Sequence, residues 1–169
     1  MKKLMLLFVA ASLLSCKGNA QKAPEDEAGK KEQKEYAVMK TEEEWKKELT
    51  SKEFYVLRKA GTERPFTSEL NENKKEGTYV CAGCGTPLYE SEHKFDSGTG
   101  WPSFDRAVEG NIEFDVDYKI GYARTELKCN TCGGHLGHMF DDGPRETTGK
   151  RHCINGIALN FIPEGDEKQ

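Results

Sequence analysis

The chain has 169 residues, which suits one domain of ordinary size. Apolar residues make up 36 % of it, alongside 17 glycines and 6 prolines, a balance that excludes general disorder and favours a turn-rich globular domain. A formal charge of −4 excludes the basic footprint of a general nucleic-acid binder.

Lys2 and Lys3 open the chain, and residues 4–14 form an apolar run too short to cross a bilayer, which takes about 20 residues. The run ends in Leu13-Leu14-Ser15-Cys16, which resembles the bacterial lipobox, where the cysteine becomes the acylated N-terminus. This reading makes residues 1–15 a lipoprotein signal peptide and Cys16 the lipidation site, and places the mature protein on the exported side of a bacterial membrane. The competing reading is an ordinary secretory signal that leaves Cys16 a loose thiol. Residues 16–35 mix lysines and acids with no aromatic or branched aliphatic side chain, so they cannot bury enough to offset the entropy of ordering and read as a linker.

The folded domain is expected over residues 36–165. Thr41-x-x-Glu44 and Thr50-x-x-Glu53 are capping-box patterns that open two short helices, with Gly61 as the stop of the second. From Gly77 the texture turns to β. Residues 112–117 alternate strictly between apolar and acidic, and residues 77–80, 119–124, 135–140, 151–155 and 157–162 are further short strand candidates. The fold class is mainly β, of the α+β kind, with antiparallel strands and helices at the N-terminal side. The sequence contains no Gly-rich phosphate loop, internal repeat or second long apolar run.

Six cysteines fall into one, four and one. Cys81-Ala82-Gly83-Cys84 and Cys129-Asn130-Thr131-Cys132 are two Cys-x-x-Cys knuckles flanked by glycines, and two such pairs make a closed tetrahedral site for one structural zinc. Export leaves open two disulfides instead, and either pair alone has the spacing of a redox dithiol, although the βαβ context for that is missing.

Cys153 stands apart in Lys150-Arg151-His152-Cys153-Ile154-Asn155. In a strand Arg151, Cys153 and Asn155 share a face. A neighbouring guanidinium is expected to lower the thiol pKa and favour a nucleophilic thiolate, and the competing reading is a small buried hydrophobe. His135 and His138 are three apart and face opposite sides of a strand unless Gly137 bulges. Either could be a structural histidine, a metal ligand or an acid near the thiol. Trp101, between Gly100 and Pro102, could wall an apolar pocket or plug the sheet edge.

Together these segments resemble methionine sulfoxide reductase B from about Tyr36 to Pro163. The runs that carry the resemblance are Gly61-Thr62-Glu63-Arg64-Pro65-Phe66, the two knuckles, Gly100-Trp101-Pro102-Ser103-Phe104, His135-Leu136-Gly137-His138, Phe140-Asp141-Asp142-Gly143-Pro144 and Arg151-His152-Cys153-Ile154-Asn155. The resemblance implies two small antiparallel sheets, a structural zinc, and thiol-dependent reduction of the R-epimer of peptide-bound methionine sulfoxide by a monomer. It implies that Cys153 attacks the sulfoxide sulfur and that His138, with His135, protonates or orients the oxygen. It further implies that Trp101 packs on the substrate methyl group, and that Arg151 and Asn155 order the thiolate and its surroundings. The partners implied are oxidised proteins or peptides, with the membrane reached through the lipid anchor and no nucleic acid.

The chain departs from the family twice. Thr99 stands where many members carry a resolving cysteine, so no uncommitted thiol remains inside the chain and the reductant must be external, a thioredoxin-like protein or a small thiol. His152 stands where members commonly have tyrosine, which adds a titratable group close to the nucleophile. Two rival functions are a zinc-ribbon binding module without redox activity and an exported Cys–His peptidase. The first predicts that Cys153→Ser changes nothing; the second predicts an acyl-enzyme and no need of an external thiol.

Overall fold

The computed structural model of the protein describes residues 34–165. The segments expected to be a signal peptide and a linker, with Cys16, lie outside the described residues apart from Lys34 and Glu35, and among the described residues no helix is long and apolar enough to cross a membrane. Two helices, α1 (Glu42–Glu48) and α2 (Ser51–Lys59), precede nine short strands. Each helix opens with the expected reciprocal cap. The Thr41 amide donates to Glu44 at 2.7 Å and the Glu44 amide to the Thr41 hydroxyl at 3.3 Å, and Thr50 with Glu53 repeats both distances. Such caps contribute about 1 kcal/mol each. The left-handed turn that ends α2 falls on Ala60 (φ 49°) rather than on Gly61. Gly61 is needed for a different reason: a Cβ there would lie 2.3 Å from the Tyr55 ring.

The strands form two antiparallel sheets. The first has order β2-β1-β9, from β1 (Gly77–Cys81), β2 (Pro87–Glu90) and β9 (Leu159–Pro163). The second has order β3-β4-β8-β7-β6-β5, from β3 (Lys94–Phe95), β4 (Ser103–Phe104), β5 (Ile112–Asp117), β6 (Arg124–Cys129), β7 (His135–Phe140) and β8 (Arg151–Ile154). Rings from both sheets meet in the core: Tyr89 of β2 stacks on Phe104 of β4 at 4.3 Å, and Tyr79 of β1 meets the same ring edge-on at 5.0 Å. Leu88, Leu127, Leu136 and Ile154 complete this layer without exposure, each contributing about 1.5–3 kcal/mol by burial.

Three expectations need correction. The strand expected at residues 119–124 begins only at Arg124, because the Gly121 amide closes a turn onto the Tyr118 carbonyl at 3.0 Å. The short strands β2, β3 and β4 escape the sequence reading; Pro87 heads β2 and the other two span two residues each. The alternation of β5 is real, but its apolar side is not the buried one. Phe114 and Val116 are 56 % and 51 % exposed at the sheet edge, while Glu113, Asp115 and Asp117 form the more covered side.

Candidate active site and metal centre

The two knuckles are copies of one backbone device. The Gly85 amide returns to the Cys81 carbonyl, and the Gly133 amide to the Cys129 carbonyl, both at 2.8 Å. Each glycine sits at positive φ, 75° and 69°, where a side chain would be strained. The turns aim four sulfurs at one point, all within 4.8 Å of one another, with Cys81–Cys132 at 3.8 Å and Cys84–Cys129 at 3.6 Å. A tetrahedron of thiolates about 2.3 Å from zinc has edges of about 3.8 Å, whereas a disulfide needs about 2.05 Å. The donor set therefore fits one zinc held by Cys81, Cys84, Cys129 and Cys132, and neither histidine is needed. Because one knuckle links β1 to β2 and the other links β6 to β7, the metal fastens one sheet to the other. Leu57 of α2 packs against Gly83 and Gly134, and Arg58 donates to the Cys132 carbonyl at 2.9 Å, so the helices cap the same centre.

Cys153 lies elsewhere on the second sheet, on β8 between β4 and β7. It pairs in register with Ser103 on one side and His138 on the other, so the three side chains share a face. The approach of β7 is close: a Cβ at Gly137 would lie 2.0 Å from the Cys153 carbonyl oxygen. The thiol is half-buried, and burial pushes its pKa up, with hydrogen bonds from Arg151 and Thr99 and the Arg151 charge pulling the other way. The expected net lowering by Arg151 is not realised. Its guanidinium donates two 2.9 Å hydrogen bonds to Asp142 and stacks on Phe140 at 4.5 Å, so much of its charge is already answered. The resting group is a thiol.

Both histidines reach the same side of the sheet. The bulge is not at Gly137: Leu127 pairs with Gly137 and Lys128 with His135, so Leu136 is the extra residue and turns His135 round. The two rings lie 5.3 Å apart. Each has its own carboxylate, His138 Nε2 facing Asp117 at 2.8 Å and His135 Nδ1 facing Glu126 at 2.6 Å. Asp117 also accepts from the Lys119 amide and from Arg124, and with His138 these hold its pKa down to about 2. An ionised carboxylate only accepts, so His138 Nε2 carries the proton. Burial lowers the His138 pKa despite Asp117, leaving the ring neutral at pH 7. His135 Nε2 is buried and finds no partner among the described residues.

Asn155 is not turned to the thiol. Its amide nitrogen donates to the Leu136 carbonyl at 2.9 Å, and its oxygen accepts from the Glu63 amide at 3.0 Å. Glu63, within the run at residues 61–66, ties the site together. Its buried carboxylate accepts from the amides of Gly156 and Ile157, where the chain crosses from β8 to β9, and its carbonyl accepts from Trp101 Nε1 at 3.2 Å. The segment around Glu63 has neither helical nor alternating periodicity, so sequence pattern could not assign it this task. His152 points into the core: its Nδ1 meets the Tyr89 hydroxyl at 3.3 Å, and burial holds its pKa down at about 4. It is therefore remote from the thiol face although adjacent in sequence. The structure thus brings Cys153, Arg151, His138 and His135 to one face, places Trp101 on the Glu63 pillar beside it, and assigns Asn155 to the turn.

A four-cysteine metal centre on the same small β domain as a separate, cation-flanked thiol defines a thiol-redox enzyme with a structural zinc. The chain belongs to the SelR domain family, whose pattern matches residues 49–163. It is 50 % identical over 133 residues, 78 % of this chain and 96 % of the relative, to the peptide methionine sulfoxide reductase MsrB of Leifsonia xyli subsp. xyli. It is also 51 % identical over 134 residues to the MsrB of Methanosarcina barkeri, covering 79 % and 94 % of the two chains. For the MsrB of Bradyrhizobium diazoefficiens the identity is 52 % over 128 residues, 75 % of this chain and 91 % of the relative.

Proposed function

We propose that this chain reduces the R-epimer of peptide-bound methionine sulfoxide to methionine, with Cys153 as nucleophile and an external thiol as reductant. The observation that carries the reading is the placement of Cys153. It is the one cysteine among the described residues outside the metal cluster, and it sits in register with a histidine whose proton is fixed by Asp117. The reaction moves one oxygen atom. The S–O bond of the sulfoxide breaks, an S–O bond to Cys153 forms, and the thiol proton ends on that oxygen, giving methionine and a sulfenic acid. A developing negative charge on the oxygen requires a proton donor, and the neutral His138, backed by Asp117, can pass a proton along this face. Arg151 stabilises negative charge on the sulfur, and the indole of Trp101, braced by its bond to the Glu63 carbonyl, offers an apolar surface for the methyl group. Cys81, Cys84, Cys129 and Cys132 would hold the zinc, which would cross-link the two sheets. Two external thiols then return the sulfenic acid to the thiol, releasing water and a disulfide.

The test is dithiothreitol-driven loss of R-sulfoxide from a model peptide, with the S-epimer as control. Turnover of the R-epimer alone, abolished in Cys153→Ser with zinc content and fold intact, supports the reading. Turnover near wild type in Cys153→Ser contradicts it.

The reading extends to location: an exported lipoprotein held on a bacterial membrane through Cys16, repairing oxidised exported proteins. Lys2, Lys3, the apolar run at residues 4–14 and Leu13-Leu14-Ser15-Cys16 support it. Mass spectrometry of the mature protein should find an acylated Cys16 at its N-terminus; an N-terminus elsewhere, with Cys16 unmodified, argues against the anchor.

A further inference from the structure

The turn between β5 and β6 presents three large apolar side chains that neither the core nor the reaction above uses: Tyr118, Ile120 and Tyr122 are each at least half exposed. The turn itself is fixed. The Gly121 amide donates to the Tyr118 carbonyl at 3.0 Å, the Lys119 amide to Asp117 at 2.7 Å, and Lys119 Nζ to the Ala60 carbonyl at 3.0 Å. At its base Asp117 faces His138 Nε2 at 2.8 Å, so the turn is continuous with the thiol face.

A second exposed apolar group lies on the β4 side of Cys153. Phe66 is 69 % exposed, and its amide donates to the Gly100 carbonyl at 2.7 Å. Its φ of 61° is a left-handed conformation that is uncommon for a bulky residue, and strain of this kind collects at positions that hold ligands. A Cβ at Gly100 would lie 2.8 Å from Phe66 Cδ2, so the ring rests on the residue before Trp101. One stretch, residues 60–66, joins the two apolar rims. Ala60 accepts from the turn, the Glu63 carbonyl accepts from Trp101 Nε1, and Phe66 donates to Gly100.

The sheet sets the distance from the thiol to the turn. β5 lies three strands from β8, and the register Cys153–His138–Glu126–Asp115 puts Asp117 two residues beyond the level of the thiol. With strands about 4.8 Å apart and residues about 3.3 Å apart, the turn starts about 16 Å from Cys153, the reach of four or five residues of extended chain. Methionine fills cores, and on a helix a buried methionine has apolar partners four positions away. Once such a segment is unfolded and extended, that partner stands about 13 Å from the methionine, within reach of the turn.

We propose that Tyr118, Ile120 and Tyr122 are a second contact point for the substrate, taking an apolar side chain four or five residues from the methionine sulfoxide of an extended polypeptide, while Phe66 bears on the residue beside the sulfoxide. The inference rests on Cys153 being the working thiol of the proposed function and names the form of its substrate. These residues set specificity and take no part in the oxygen transfer.

The test uses the zinc-loaded protein and two peptides with R-methionine sulfoxide at the centre of a Gly-Ser chain, one of them carrying Leu four positions away on each side. Wild type should favour the Leu peptide about tenfold in kcat/KM, through KM, as burial of one aliphatic side chain allows. The double variant Tyr118→Ser, Tyr122→Ser should bring that ratio close to one. In zinc-loaded Cys153→Ser, where no turnover is needed, the amide NMR signals of Tyr118, Ile120 and Tyr122 should move with the Leu peptide and stay in place with the plain one. A Leu preference that survives in the double variant, or turn signals that move equally with both peptides or with neither, would overturn the proposal. Turn signals that move with protein concentration alone would overturn it too, and would make the surface a contact between two copies of the chain. If wild type turns over neither peptide, the reductase reading fails, and the signals in Cys153→Ser still decide whether the turn holds the peptide.

Discussion

Each zinc knuckle completes its geometry within a few residues: the amide of Gly85 or Gly133 folds back four positions to Cys81 or Cys129, and the second cysteine falls inside that turn. The Cys153 face is assembled the other way. Its neighbours arrive from β7, β5, the β3–β4 segment and the stretch around Glu63, and they meet only because β4, β8 and β7 are adjacent in the sheet. Removing one part of a knuckle therefore removes a ligand of a closed site, while removing one part of the thiol face leaves the others in place. The first region fails structurally; the second fails chemically.

The largest effect follows from that contrast. Structural zinc supplies apparent binding energies of about 10–16 kcal/mol that count as folding energy, against a total stability of about 5–15 kcal/mol for a domain. Cys81→Ser or Cys132→Ser should leave little folded protein, seen as lost zinc and a vanished cooperative thermal transition. A folded, metal-free Cys81→Ser protein would break the comparison. Next in size, His138→Ala should slow turnover by about 10²–10⁴-fold with melting temperature nearly unchanged. Asp117→Asn should slow it in the same direction but less, because it releases the imidazole without deleting it. A kcat in Asp117→Asn equal to wild type would separate the carboxylate from the chemistry.

What could be read from the chain divides along the same line. The capping boxes, the knuckles and the set of four ligands are short-range patterns, and the structure has all of them where the residues put them. Cys153 was legible through its cationic neighbour, but its burial was not: desolvation in the folded sheet pushes the thiol pKa up, and Asp142, nine positions from Arg151, engages the guanidinium that pulls the other way. The same limit applies to Asp117, Glu126 and Glu63. They become partners of His138, His135 and the β8–β9 turn through strand pairing and chain crossing, which no local period encodes. The strict alternation of β5 was legible as a strand, yet which side is covered depends on its place at the sheet edge.

The smallest effect concerns His152, which the sequence places next to the nucleophile and the fold turns into the core. Its folded pKa of about 4 lies below the unfolded value of about 6.5. The unfolded chain therefore binds more protons between these limits, so this contribution to stability is complete above about pH 6.5 and lost as pH falls through about 4, by about 3 kcal/mol at most. In His152→Tyr that loss should be absent, read as a smaller drop in unfolding free energy from pH 7 to pH 4.5 than in wild type. Equal drops in the two proteins would remove His152 from the acid response.

The central claim is that the cysteines of the folded domain divide between structure and chemistry, four to the metal and Cys153 to the substrate. The most direct measurement is to treat the zinc-loaded protein with an R-sulfoxide peptide in the absence of reductant, then follow dimedone labelling and zinc content together by mass spectrometry. The account predicts one dimedone adduct per chain, on Cys153, with the zinc retained and no internal disulfide. A disulfide between Cys153 and a knuckle cysteine, accompanied by release of zinc, would contradict it.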